Sequence, residues 1–379
     1  MANFNAERLK EIRGARRLTL QQLADELGVS KQAVSKYEHG LSIPQAETLV
    51  KMTEILEVPL PYFGKDSLVV HQGSSALFFR TKNDTSAKDK EYADVASRWS
   101  YEVISGIKHF NAIPKANLPV VDKALSVVDK ALHTRQYWKL GTSPIEDITQ
   151  ILEANGIFVT VVSSSELHTD GYSRIINDVP IIVINENRGV AARQRFSLAH
   201  ELGHLVMHST LSEADFIMNE RTLEDEANLF ANSFLLPPSS FDSEIVSAKL
   251  EQFIELKKTW KTSIAAMLYH CEYAGILPST QVQSLRIQLR KKFGGKKEPL
   301  DDSITPERPT YIANRLSRFI IDKNAFDAFF DIVKLPMHDV EKLAGLTRGY
   351  FSEFYNGNSA FEFEQQPTFE QLSLFGMGV

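Results

Sequence analysis

The stretch RFSLAHELGHLVMHST, residues 195–210, carries three histidines spaced by four, His200, His204 and His208, with Glu201 directly after the first. Residues four apart on a helix share one face and lie about 6 Å apart along its axis. His200 and His204 can therefore offer imidazole nitrogens to one metal ion. Glu201 projects beside that face, where it can take a proton from water. His208 lies about 12 Å along the axis from His200. Zinc ligands each sit about 2 Å from the ion, so a straight helix cannot bring both 200 and 208 to it. His208 is expected outside the coordination sphere, supporting the site or touching substrate.

His-Glu-x-x-His alone arises by chance in roughly a few chains per hundred, so its surroundings decide. SPIEDITQILEANG (143–156) reads as a helix with Ser143 at the N-cap, Pro144 in the first position and Gly156 past the end. IFVTVV (157–162) and VPIIVINEN (179–187) read as strands, and AARQRFSLAHELGHLVMHS (191–209) as a long helix. The next helix carries Glu220, Glu224, Asp225 and Glu226, and stops at Pro237 and Pro238. Two histidines need a third protein ligand, and a glutamate about 20–30 residues on is the usual solution. Ala227, Phe230, Ala231 and Phe234 make the apolar face of this helix. Glu226 stands beside that face, four before Phe230, and is the expected third ligand, with Glu224 in reserve.

Residues 145–300 resemble the ImmA/IrrE family of zinc metallopeptidases. The resemblance rests on four ordered pieces, RQRFSLAHELGHLVMH, EDEANLFANSFLLP, LKKTWKTSIAAMLYHCEYAGIL and KKEP. It implies a zincin-like α+β domain and Zn2+ held by His200, His204 and the glutamate of the EAN segment, Glu226. It also implies Glu201 as general base and a DNA-bound repressor as protein substrate. Where the family has an arginine this chain has His270. His208, Tyr172, Arg193 and Arg195 are the candidates to stabilise an oxyanion.

LQQLADELGVSKQAVSKYEHG (20–40) has the parts of two short helices at a fixed angle: Ala24 at the contact, Gly28 in the turn, Val29 and Val34 as anchors, and Ser30 as cap. Lys31, Gln32, Ser35 and Lys36 would face base edges and phosphates. The first helix is rich in arginine, and Arg8, Arg13, Arg16 and Arg17, with Lys10, suit the sugar–phosphate backbone. Residues 6–63 resemble the Cro/phage-repressor (XRE) family. That resemblance implies an operator in double-stranded DNA and a homodimer. Leu20 stands where the family often has a phosphate-binding glutamine.

These readings give a multidomain chain, mainly α with a small sheet. The expected division is an all-α helix-turn-helix over 1–65, a linker and helical connector over 66–140, the HExxH domain over 141–300 and a helical region over 301–379. Within the connector, IPKANLPVVDKAL is expected to start a helix after Pro114 and Pro119. Net charge is −6 over 379 residues, so any nucleic-acid site is local. A single cysteine, Cys271, excludes an internal disulfide framework and reads as a buried apolar residue. MANFNAERLKEIRGARR lacks the apolar run of a signal peptide, and no stretch has the length of a membrane span, so a soluble, cytoplasmic protein is expected. The basic run Arg286, Arg290, Lys291, Lys292, Lys296 and Lys297 reads as a solvated helix end. VEKLAGLTRGYFSEFYNG (340–357) loosely echoes LADELGVSKQAVSKYEHG (23–40), with a plain helical hairpin expected and a degenerate second helix-turn-helix as the alternative. The function expected is a DNA-binding regulator fused to a zinc endopeptidase that cleaves a repressor-like partner. The competing readings are a regulator whose peptidase fold only senses or scaffolds, and an antitoxin-like regulator that binds a partner protein.

Overall fold

The computed structural model describes residues 4–70, 78–79, 86–163, 169–186, 190–294 and 297–352. In chain order the elements are α1 (Ala6–Ala15), α2 (Leu20–Leu27), α3 (Lys31–Glu38), α4 (Ala46–Ile55), β1 (Phe78–Phe79), α5 (Ala87–Phe110), α6 (Val127–Tyr137), α7 (Ile148–Ala154), β2 (Phe158–Val162), β3 (Gly171–Ile176), β4 (Val179–Asn185) and α8 (Ala191–Met207). They continue with α9 (Glu213–Leu235), α10 (Pro238–Phe241), α11 (Leu250–Trp260), α12 (Ile264–Tyr273), α13 (Ser279–Phe293), α14 (Tyr311–Ile321), α15 (Lys323–Val333) and α16 (Met337–Leu343). The chain is thus mainly helical with one small sheet. No helix among the described residues is long and apolar enough to cross a membrane.

Two compact units form. One comprises Met1–His71, Thr81–Ile113 and Thr310–Val379, the other Gln72–Arg80 and Pro114–Pro309. This corrects the expected division: the helix-turn-helix is not a free 1–65 module but shares a core with α5 and α14–α16. Ion pairs explain why. Arg8, 1% exposed, donates to Glu11 and to Glu102 of α5. Glu11 also accepts from Tyr62 Oη and Trp99 Nε1. Arg13 pairs with Glu38 and Glu91, Arg16 with Asp339, and Arg17 with Asp89. The arginines read as a phosphate-facing set therefore turn inward, and Arg13 is withdrawn from the DNA-contact residues. Sequence displays charge but not the partner across a tertiary contact, and once folding buries a carboxylate the costly state is the one that leaves its charge unpaired.

Residues 322–347 repeat the backbone of 5–30 at one constant offset without a gap. Asn5 caps α1 through the Glu7 amide, and Asp322 caps α15 through the Asn324 amide. Positive φ falls at Arg17 and Lys334 (57° and 51°) and again at Gly28 and Gly345 (70° and 71°). The Val29 amide donates to Ala24 O and the Leu346 amide to Glu341 O. Leu9, Ile12, Leu23, Leu27 and Val34 are buried, as are Phe326, Phe329, Val340, Ala344 and Phe351 at the matching positions. The repeat departs where Glu341 replaces Ala24 and accepts from the Gly349 and Phe351 amides. Of the expectation for 340–357, the end of α16 and a turn at Gly345 are present, residues 348–352 form no second helix, and 353–357 lie outside the described residues, so neither the plain hairpin nor the degenerate helix-turn-helix is decided.

The second unit holds a four-stranded sheet in the order β1-β3-β4-β2. β2 runs parallel to β4, with Phe158 opposite Ile181, and β3 runs antiparallel to β4, with Ser173 opposite Ile182. β3 was not foreseen. Its run GYSRII sets two polar residues side by side, Ser173 and Arg174, which breaks the alternation by which a strand is read. Two helix starts also shift. α7 begins after Asp147, whose carboxylate caps Gln150, and not at Ser143–Pro144. α6 begins only after Ser126, which caps Asp129, so the proline-rich stretch before it is not helical. Capping by a side-chain oxygen with a free amide in reach outweighs the proline signal.

Helices α8 and α9 lie against each other. Gly203 makes this close approach possible: a Cβ there would meet Phe230 at 3.1 Å. Leu198, Ala199, Leu202, Phe230, Ala231 and Phe234 form the shared core. Cys271 is buried in it, and burial pushes its thiol up to about 12, so it behaves as a small apolar side chain.

Candidate metal centre

Packing of α8 on α9 brings a carboxylate to the histidine face. His200 Nε2 and His204 Nε2 lie 3.1 Å apart. Glu224 Oε1 is 3.2 Å from His204 Nε2, and Oε2 is 3.5 Å from His200 Nε2. Among the described residues this trio is a group able to hold a metal ion, with all three side chains buried. Glu226 is elsewhere: its Oε2 meets His208 Nε2 at 2.9 Å, and its side chain is 38% exposed. The sequence expectation of Glu226 as third ligand is therefore corrected to the reserve residue, Glu224. The two glutamates are about 200° apart around a helix, on opposite edges of the same broad apolar face. Sequence could not tell which edge meets α8.

The electrostatics suit a cation. Burial pushes the His204 imidazole down to about 4, so it stays neutral with a lone pair to give. Burial works against the charge on Glu224, but the two imidazoles at its oxygens hold it well below the usual carboxylate range. Two Nε2 atoms this close cannot both carry hydrogen, so at least one lone pair faces the gap. Two imidazoles and an anionic carboxylate are the donor set of an open zinc site, which leaves a position for water or substrate. The residues present fit the ion.

Glu201 is 3% exposed, and Ser173 Oγ of β3 donates to its Oε2 at 2.7 Å. Asn228 Oδ1 lies 3.0 Å from His200 Nδ1. Neither Ser173 nor Asn228 was foreseen. Asn228 could have been, since it sits one turn after Glu224 on the same face. Ser173 could not, because its strand was missed. β1 pairs with β3 at the same place, Phe78 opposite Ser173 and Phe79 opposite Tyr172. Of the expected oxyanion donors, Arg195 is buried in bonds to Ile145 O and Glu307 and is excluded. Arg193 pairs with Asp170 while half exposed, Tyr172 is buried within β3, and His208 is engaged by Glu226. His270 is held by Asn232 and Asp242.

At the N-terminus, Thr19 and Gln22 cap α2 reciprocally, and Gly28 ends it in the left-handed conformation. Lys31, Gln32 and Lys36 are exposed on α3 and Ser35 is half-buried. Gln21 donates to Asp25, along the helix. The basic run in and after α13 meets acidic neighbours: Arg286 pairs with Glu272, Lys292 with Glu251 and Lys297 with Asp302.

Residues 9–63 match the helix-turn-helix family, and residues 153–272 match the family described as IrrE N-terminal-like domain. The uncharacterized HTH-type transcriptional regulator YqaE of Bacillus subtilis is 33% identical over 103 residues, 26% of this chain and 89% of that protein. The chain belongs to the family of helix-turn-helix transcriptional regulators. A putative HTH-type transcriptional regulatory protein of Pyrococcus furiosus is 24% identical over 49% of the chain, which spans 56% of that protein. The cryptic phage CTXphi transcriptional repressor RstR of Vibrio cholerae is 43% identical over 54 residues, 14% of the chain and 48% of that repressor. This regulator thus joins an XRE-type module to a domain of the ImmA/IrrE peptidase family.

Proposed function

We propose that the regulator is also a zinc-dependent endopeptidase that cleaves a repressor-like protein to alter transcription. The observation that carries this reading is the convergence of His200, His204 and Glu224 on one point, with Glu201 buried next to His200 in the chain and held by Ser173. A bound Zn2+ would be held by those three residues and would supply Lewis-acid polarisation of a peptide carbonyl and acidification of water. Glu201 takes the proton from the attacking water and hands it to the departing amine. Ser173 keeps the Glu201 carboxylate pointed at that task. The buried walls of α8 and α9 keep bulk water from the reacting bond.

Glu201→Gln tests the assignment, because it keeps the shape and removes the base. Cleavage of a candidate repressor by the zinc-loaded protein is expected to fall at least about 100-fold, the low end of what general-base catalysis contributes. Zinc content should stay at one ion per chain. Equal cleavage by both proteins rejects Glu201 as base, and no cleavage by either favours a domain that senses or scaffolds.

The DNA-binding part of this reading places α3 in the major groove, with Lys31, Gln32, Ser35 and Lys36 toward the duplex. The module would act as a homodimer on half-sites about one helical turn apart. On an operator selected from random duplexes, Gln32→Ala is expected to cost about 1–3 kcal/mol and to relax the preference at one base pair. Lys36→Ala should weaken all sequences alike and reduce the salt slope by about 1. A Gln32→Ala protein with wild-type preference would remove Gln32 from the reading set.

A further inference from the structure

His208 and Glu226, outside the metal ligands, form a line with one of them. Glu226 Oε2 lies 2.9 Å from His208 Nε2, and His208 Nδ1 lies 3.0 Å from His204 Nδ1. His208 is 3% exposed. We infer that His208 and Glu226 are positioning residues that fix the tautomer and ring orientation of the metal ligand His204. The inference rests on the metal site proposed above.

The proton positions follow one from the next. A carboxylate only accepts, so His208 Nε2 carries the hydrogen and donates to Glu226. A neutral imidazole has one N–H, so His208 Nδ1 is then an acceptor. It can meet His204 Nδ1 at hydrogen-bond distance only if His204 Nδ1 carries hydrogen. His204 Nε2 is therefore left with its lone pair, and that atom faces His200 Nε2 and Glu224. His200 is served separately by the Asn228 carbonyl oxygen at its Nδ1. The two ligands thus have different supports, one a neutral amide and the other an imidazole backed by a carboxylate. The carboxylate raises electron density through His208 to His204, which makes that ligand the more basic of the two.

The test is zinc affinity of the full-length protein, measured by competition with a chromophoric chelator, together with 15N–1H spectra of the histidine rings. Loss of an outer partner typically costs 10- to 100-fold in metal affinity, and Glu226→Ala and His208→Ala are expected within about that range. Glu226→Asp should recover part of the loss. Metal-free wild type should show His204 protonated at Nδ1, and Glu226→Ala a mixture of tautomers. Zinc affinity within about threefold of wild type in Glu226→Ala, with an unchanged His204 tautomer, overturns the inference. Wild-type protein that takes up no stoichiometric zinc overturns the metal site itself. A folded His208→Ala, judged by an unchanged melting curve, separates loss of the relay from loss of the fold.

Discussion

Glu224→Ala is expected to strip stoichiometric zinc from the full-length protein, with affinity falling by more than the roughly 10- to 100-fold that an outer partner is worth. The reason is geometric. Both oxygens of Glu224 lie within 3.5 Å of the two ligand nitrogens, and no other carboxylate joins that group among the described residues. Alanine leaves two neutral imidazoles facing each other, with no anion to offset the ion's charge in a buried site. Glu226→Ala removes a charge of the same sign two residues away and should do much less. Metal analysis of the two variants side by side therefore discriminates between two acids of one helix. Equal loss in both would mean that the third ligand is not the residue nearest the histidines, and zinc retained by Glu224→Ala would reject the proposed site.

The second large effect lies in the other unit. Glu102 takes Arg8 Nη2 and Lys65 Nζ, each at 2.6 Å, and is 7% exposed. Burial pushes the Lys65 ammonium down, a sign that its charge depends on this partner. Glu102→Ala leaves two cations in a site with one carboxylate, Glu11, still near. Breaking a buried pair typically costs about 3–5 kcal/mol, because the remaining charge is uncompensated. Melting of that unit is expected to fall by on the order of 10 °C. Glu102→Gln should lie between, since an amide oxygen still accepts one bond. A loss under about 1 kcal/mol would show the network to be solvated, as exposed pairs are. DNA affinity should fall in parallel as the unit unfolds, because α1 holds the helix-turn-helix to α5 through these groups.

Much was legible in the chain itself. The spacing of His200 and His204, the place of Glu201 beside them and the turn at Gly28 are local facts, written at periods of four residues or in one backbone conformation. The short match of 340–357 to 23–40 hinted at a repeat whose full length shows only in backbone angles and caps, because Phe326 for Leu9 or Glu341 for Ala24 keeps the conformation and discards the letter. Ser173 was out of reach, since its short, half-polar strand gains its status from pairing with β4.

What the amino acids settled alone was which side chains share a helical face and which residue can turn left-handed, since both follow from helix geometry and the sterics of one residue. Which of two acids on α9 completes the metal trio, and whether arginines of α1 face phosphate or carboxylate, were decided by the packing of distant segments. Coulomb attraction and the cost of burying charge act through space, and their sign depends on neighbours that the chain brings together only after it folds.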